Sequence, residues 1–333
     1  MVKTPRVFVT RRLPQDIETR MSDLFDVVLR SDDKPLTEDE LKAGISDCDV
    51  FVPNVSDDIN ANVIAAAGAH LRLIANFGAG TDHIDRAEAY KRNITVTNTP
   101  GVLTEDTADL TMALILSVPR RLIEGDRMMR NGGFTGWTPT HMLGSRVKGK
   151  SLGIIGMGRI GQAVARRANA FGLSVHYHNR RQVPAGIEAE LGAQYHPDID
   201  EMLGAVDIVS LNCPYTPLTH HLINKSRLAQ MKPDSFIVNT ARGELIDEEA
   251  LADALAVGQI SGAGLDVFEN GSVAHSKLLS LENVILTPHI GSATHESRRE
   301  MGEKVLINIR AMMDHHACPD RVLPPGKSFS LVS

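Results

Sequence analysis

Leu152-Gly153-Ile154-Ile155-Gly156-Met157-Gly158-Arg159-Ile160-Gly161 is the part of this 333-residue chain with the clearest chemistry. The apolar run predicts a strand. Gln162 to Phe171 predicts a helix closed by Gly172, and Leu173 to Tyr177 predicts the next strand. In that setting Gly156 permits a tight turn, Gly158 lets backbone approach a pyrophosphate, and Gly161 lets helix and strand pack closely. The helix start offers N–H groups and the positive end of its dipole to an anion. Gly156, Met157, Gly158, Arg159, Ile160 and Gly161 are therefore expected to cradle a dinucleotide. About 20 residues further on, where an acid would bind the ribose hydroxyls of NAD, the chain reads His178-Asn179-Arg180-Arg181. Asn179 hydrogen-bonds without repelling a phosphate, and Arg180 and Arg181 supply guanidinium forks that suit one. The expected cofactor is NADP(H), with NAD(H) bound more weakly.

A loop of this kind works only at the end of a parallel sheet, and the chain alternates accordingly. Arg6 to Thr10, Val27 to Leu29, Val50 to Val52 and Leu73 to Ala75 read as strands, and Gln15 to Phe25 and Asn62 to Ala67 as helices. Thr37-Glu38-Asp39-Glu40 is a helix start, with a hydroxyl cap and acids in the first turn. This alternation implies βαβ units and a mostly parallel sheet. Asn98-Thr99-Pro100-Gly101 reads as a turn and a domain crossing. Glu105 to Arg127 follows as a long helix pattern interrupted at Pro119, and Arg130 to Gly149 is loop-rich. A second βαβ series runs from Ser151 to about Pro288. In the helical tail, Met301, Val305, Ile309 and Met312 share one face.

Length favours two domains at roughly 150 residues each. Thirty-five Lys and Arg against 41 Asp and Glu argue against a general nucleic-acid binder. Cys48, Cys213 and Cys318 are scattered and odd in number, which excludes a disulfide framework or a zinc ribbon. No metal site is expected. The start of the chain has no signal-peptide pattern. The longest apolar stretch, Met112 to Val118, is far short of the roughly 20 residues of a membrane span. A soluble cytoplasmic protein with no membrane partner is expected.

Seven segments in order then fit one pattern: Asn76 to Asp85, Asn98 to Gly101, the Gly156 loop, Asn212-Cys213-Pro214, Asn239 to Gly243, Gly264 to Phe268, and Thr287 to Gly291. Over roughly residues 6 to 315 the chain resembles the D-isomer-specific 2-hydroxyacid dehydrogenases, most closely their glyoxylate/hydroxypyruvate reductase branch. The resemblance implies an α/β protein of two domains. A Rossmann-type doubly wound parallel sheet, residues 100–288, would be inserted into a flavodoxin-like substrate domain, residues 1–99 and 289–333. It also implies an active site in the cleft between the domains and a homodimer joined through the cofactor domains.

The implied reaction reduces a small 2-keto acid, glyoxylate or hydroxypyruvate, to the 2-hydroxy acid. His289, after the strand Val284 to Leu286, would be the acid/base, since an imidazole exchanges protons near neutrality. Arg242, after the strand Phe236 to Asn239, would grip the substrate carboxylate and carbonyl with its fork. Gly78, Ala79 and Gly80 would hold the carboxylate through backbone N–H groups. Asp266 would accept from the nicotinamide carboxamide, and Thr104 would meet the nicotinamide-side phosphate. Cys213-Pro214 and Thr240-Ala241 would line the nicotinamide half, with Thr219, Arg242, His289 and Gly291 also counted among the cofactor contacts. No thiol chemistry is assigned to Cys213, which reads as a small apolar residue. Trp137, the only Trp, either reaches toward the partner subunit's substrate pocket or serves as an ordinary hydrophobic anchor.

One departure stands out. The family pattern is Asp-Val-Phe-Glu-x-Glu-Pro, its second Glu pairing with the catalytic His. Here the chain reads Asp266-Val267-Phe268-Glu269-Asn270-Gly271-Ser272. Without that carboxylate His289 is expected to titrate lower and to align less well, weakening proton donation by ~10- to 1000-fold. Glu269 either substitutes for it or is a solvent-facing loop acid, the reading its residue type favours. Two alternatives remain: a cofactor-sensing binding protein of the corepressor kind, and an enzyme of the formate or phosphite dehydrogenase kind.

Overall fold

The computed structural model describes residues 4–271 and 273–324. Contacts divide the chain into two units, Met1–Leu103 with Thr294–Ser333, and Thr104–Ala293. All strand pairs in both are parallel.

In the first unit β1 (Arg6–Val9), β2 (Asp26–Val28), β3 (Val50–Val52), β4 (Leu73–Ala75) and β5 (Thr95–Thr97) lie in the order β2-β1-β3-β4-β5. That is the flavodoxin-like order. The central strands are apolar throughout because helices cover both faces. Val50, Val52, Leu73 and Ala75 pack on one side with Ile17, Met21, Met301, Val305 and Ile309. Phe51 and Ile74 point the other way, into Leu41, Ile45, Val63 and Ile64. The Glu38–Ser46 helix starts at a full capping box. Glu40 N–H donates to Thr37 Oγ1 at 3.3 Å and Thr37 N–H to Glu40 Oε2 at 2.8 Å, an arrangement that satisfies two orphan donors at once. On the His295–Met313 helix, Gly302 lies so close to Ile17 that a Cβ would come within 2.5 Å of its Cγ1.

The second unit orders its strands β12-β11-β10-β9-β6-β7-β8. They are β6 (Ser151–Ile155), β7 (Ser174–His178), β8 (Ala193–Tyr195), β9 (Ile208–Leu211), β10 (Phe236–Asn239), β11 (Gly262–Leu265) and β12 (Val284–Leu286). The winding reverses between β6 and β9, and the carboxyl ends of strands at such a point are where α/β sheets bind ligands. One face of this sheet packs Val209, Leu211, Ile237, Ala263 and Leu265 against the Ile199–Ala205 and Glu248–Ala256 helices. The other packs Leu152, Ile154, Ile208 and Val238 against Thr104–Ser117 and Arg159–Ala170.

Three details differ from the sequence expectation. The first crossing lies at Thr104, four residues beyond Pro100. The return crossing lies at Thr294, so His289 belongs to the second unit rather than to the substrate domain. The buried Asp266 is the cause, since it ties residues 287–291 to the end of β11. The single helix pattern from Glu105 is two helices, Thr104–Ser117 and Leu122–Arg130, separated by Arg121 at φ 53°. Among the described residues no helix is long and apolar enough to cross a membrane.

Candidate active site

The glycine loop joins β6 to the Arg159–Ala170 helix, and its three glycines have three different causes. Gly156 has φ 103°, and a Cβ there would lie 2.5 Å from the Cys213 backbone nitrogen. At Gly161 a Cβ would lie 2.2 Å from the Gly156 carbonyl oxygen. At Gly158 a Cβ would meet nothing within 4 Å, and Gly158 caps the helix with no side chain over its N–H groups. This open, donor-rich turn fits a pyrophosphate. Asn179, just past β7, braces it by accepting the Met157 N–H at 3.0 Å. Arg180 and Arg181 are exposed beside it, and neither has an acidic partner among the described residues.

Three neighbouring strands carry the rest. Asn239, Leu265 and Leu286 sit in one register row across β10, β11 and β12. Arg242 and His289 each follow that row by three residues, two strands apart, which is about 10 Å between strand axes. Asn239 shapes the first turn. Its Oδ1 accepts the Ala241 N–H at 3.0 Å and its Nδ2 donates to the Arg242 carbonyl at 2.8 Å. Thr240 is held by Thr111 at 2.7 Å. Thr111 spends its single proton on the Thr107 carbonyl, so the Thr240 hydroxyl is the donor of that pair.

Asp266, wholly buried, shapes the second turn. It accepts from the Thr287 hydroxyl at 2.6 Å, from the Ile290 N–H at 2.8 Å and from the Gly291 N–H at 2.9 Å. Its own carbonyl accepts the His289 N–H at 2.9 Å. These bonds hold His289 at φ 54°, a strained conformation for a side chain of this kind that costs about 1 kcal/mol or more. The imidazole is thus exposed on a rigid turn.

Between them lies the turn Phe268–Gly271, closed by Gly271 N–H donating to the Phe268 carbonyl at 3.1 Å. Glu269 on it is half-buried and accepts from His221 Nε2 at 2.6 Å. Its backbone N–H donates to the buried Glu248 at 2.6 Å. Glu269 is therefore not a solvent-facing loop acid, because the tight turn aims it at the 220–221 segment. Gly271 has φ 68° with nothing within 4 Å of a Cβ.

The D-isomer specific 2-hydroxyacid dehydrogenase NAD-binding domain model matches residues 112–291. The chain belongs to this dehydrogenase family. A glyoxylate reductase of Korarchaeum cryptofilum is 44% identical over 333 residues, covering 97% of this chain and 99% of that protein. One from Thermococcus onnurineus is 43% identical, covering 96% of each. Among solved structures, an NADPH-dependent glyoxylate/hydroxypyruvate reductase of Sinorhizobium meliloti in complex with NADP and malonate aligns with TM-score 0.85. It is 33% identical, with 99% of this chain and 100% of that one covered. The TT0316 protein of Thermus thermophilus aligns with TM-score 0.88 at 41% identity, over 96% of this chain and 100% of that one.

Several residues expected from the dehydrogenase pattern have local tasks here. Both oxygens of Asp266 already accept protein donors. Thr219 braces its own turn, accepting the Thr216 N–H at 2.8 Å and reaching the Pro214 carbonyl at 3.1 Å. Cys213 lies against the glycine loop, and burial pushes its thiol up to about 11, which keeps it protonated and inert at neutral pH. Thr104 opens the helix that sends Thr107 to the Gly291 carbonyl at 3.2 Å. In the first unit, the Gly78, Ala79 and Gly80 carbonyls are all taken by protein donors from Asn76, Asn98 and Thr99. No acceptor among the described residues takes the three N–H groups.

Trp137 is not a buried anchor. It is 79% exposed, in a segment where residues 131–140 are all exposed. Sequence reading missed Asn239 as the brace of Arg242, and missed His221 and Glu248 altogether. Only the Asn239-x-Ala241 spacing, which suits a side chain closing over its own turn, signalled any of these.

Proposed function

We propose that this dehydrogenase uses NADP(H) to reduce a small 2-keto acid, glyoxylate or hydroxypyruvate, to the 2-hydroxy acid. The observation that carries the reading is the placement of Arg242 and His289. They follow one register row at the sheet end that also bears the glycine loop. Residues 156–161 would hold the pyrophosphate, and a bound nicotinamide supplies a hydride to the keto carbon. Arg242 binds the carboxylate and polarises the carbonyl, a paired role that suits its fork. The Gly78-Ala79-Gly80 amides offer further donors to the carboxylate. His289 delivers the proton to the developing alkoxide. The reductase names of the similar proteins support the substrate class.

The phosphate of NADP(H) falls to Arg180 and Arg181, which are exposed and have no acidic partner among the described residues. The exposed Leu122, Met129, Phe134, Trp137 and Leu143 support pairing with a second copy of the chain, since patches of this kind mark interfaces.

Steady-state kinetics with NADPH and NADH on glyoxylate, hydroxypyruvate and other small 2-keto acids test the reading. Turnover is expected, with NADPH preferred. Replacing both Arg180 and Arg181 by Ala should raise the KM for NADPH about 10- to 100-fold, the loss of one or two charged hydrogen bonds, and leave NADH unaffected. Absence of cofactor oxidation with every keto acid would remove the enzymatic assignment. NAD-linked oxidation of formate or phosphite would redirect it.

A further inference from the structure

A cluster outside the proposed chemistry has the composition of a ligand set. His220, His221 and Glu269 each place a ligand atom within 4.8 Å of the others. Neighbouring side chains on extended backbone point to opposite faces. Here His221 adopts φ 46°, and both rings turn the same way, stacked with centroids 4.0 Å apart and planes at 21°. His221 is fixed through its backbone N–H, which donates to the Glu244 carbonyl at 2.9 Å. Glu269 is fixed through the Glu248 contact described above, and Glu248, itself buried, spends its second oxygen on the His275 N–H at 3.0 Å. His221 and Glu269 are thus carried on pinned backbone with His220 stacked on His221, while the three residues remain half or fully exposed.

We propose that His220, His221 and Glu269 form a binding site for a borderline divalent transition-metal ion such as Zn2+, with water completing the coordination. Two imidazoles and one carboxylate suit Zn2+, Ni2+ or Cu2+, whereas Mg2+ and Ca2+ require an oxygen shell. In a tetrahedral site, bond lengths near 2.0–2.2 Å put N and O ligands about 3.3 Å apart. The His221–Glu269 contact of 2.6 Å therefore opens by several tenths of an ångström, a movement that rotation of half-exposed side chains supplies. The ion takes the place between His221 Nε2 and Glu269 that a hydrogen-bonding proton otherwise fills, since a metal-bound ring nitrogen carries no proton. The site also backs onto the turn of Arg242. Gly243 lies so close to Phe268 and Glu269 that a Cβ on it would overlap their backbone.

Calorimetric titration of the metal-stripped full-length protein with ZnCl2 tests this. One equivalent is expected to bind and to raise the melting temperature, and Co2+ in its place should give the visible bands of a four-coordinate site. Loss of an outer partner of a metal ligand already costs about 10- to 100-fold in affinity. H220A and E269Q, each removing a ligand, should weaken Zn2+ binding at least as much. The exposed His220 can be removed without altering the metal-free melting temperature, and H315A with H316A, at the other exposed His pair, should bind as the parent does. No stoichiometric uptake, uptake unchanged in H220A and E269Q, or loss in the His315/His316 variant would overturn the site.

Discussion

Two tight turns leave parallel strands of the same sheet, and different forces demand their glycines. At Gly156 and Gly161 the demand is contact, joined at Gly156 by φ 103°. A Cβ at Gly156 or Gly161 would run into backbone, at 2.5 Å and 2.2 Å respectively, and backbone cannot move aside cheaply. In the Phe268–Gly271 turn the demand is conformational only, since Gly271 has φ 68° and open space around it. Gly156 and Gly161 therefore tolerate no side chain, whereas Gly158, between them, has open space around it. Gly271 tolerates one at the cost of a left-handed residue, about 1 kcal/mol. The glycine loop is fixed by packing at Gly156 and Gly161, and the Phe268–Gly271 turn is open to change.

Gly161→Ala is the harshest way to break that contrast. Its methyl meets a carbonyl oxygen at 2.2 Å, so the helix start must shift away from β6. We expect a loss of about 3 kcal/mol in stability, within the usual range for overpacking, and of NADPH binding by fluorescence titration. A melting temperature no lower than that of a Gly271 variant would show that the loop adapts.

Gly271→Glu sharpens the other side. It restores the residue that the dehydrogenase pattern has at this position, which in that pattern pairs with the His found here at 289, the proposed proton donor. A neighbouring carboxylate favours the imidazolium, so the proton-donating form survives to higher pH. The alkaline limb of the reduction rate should move up by about one pH unit, with turnover at neutral pH rising about tenfold. The sign for stability follows. A raised imidazole pKa adds stability that is complete below the unfolded value and lost as pH climbs through the folded one. An unmoved alkaline limb would mean that position 271 does not face His289.

The same division between local and distant causes decided how much could be read from the sequence. Strands Val50–Val52 and Leu73–Ala75, the helix start at Thr37 and the glycine loop were legible because their signals are short-range: apolar runs, a hydroxyl before acids, and glycines between strand and helix. Thr95–Thr97 was not, because an edge strand with two threonines has no apolar run. The break after Ser117 was legible as an interruption at Pro119, but the second helix hid its independence by continuing the periodicity. His221 and Glu269 stand 48 residues apart, and only the pairing of β9, β10 and β11 brings their loops together. The exposure of Trp137 depends on what the rest of the chain leaves uncovered, which no local pattern records.

The mildest substitutions isolate conformation from contact. Gly271→Ala adds a methyl to open space and changes only the cost of φ 68°, so its loss should be about 1 kcal/mol. Gly271→Asn carries a side chain of larger volume, yet Asn tolerates the left-handed region better than Ala does. If conformation alone demands the glycine, Asn should be the more stable of the two despite its size, by a few tenths of a kcal/mol. If hidden crowding contributes, the order should invert and Asn should fall below Ala. Neither change adds a carboxylate, so neither should move the alkaline limb that Gly271→Glu is expected to shift. A thermal melt of the three variants side by side, with pH–rate profiles, therefore separates backbone strain from the proton chemistry at one position.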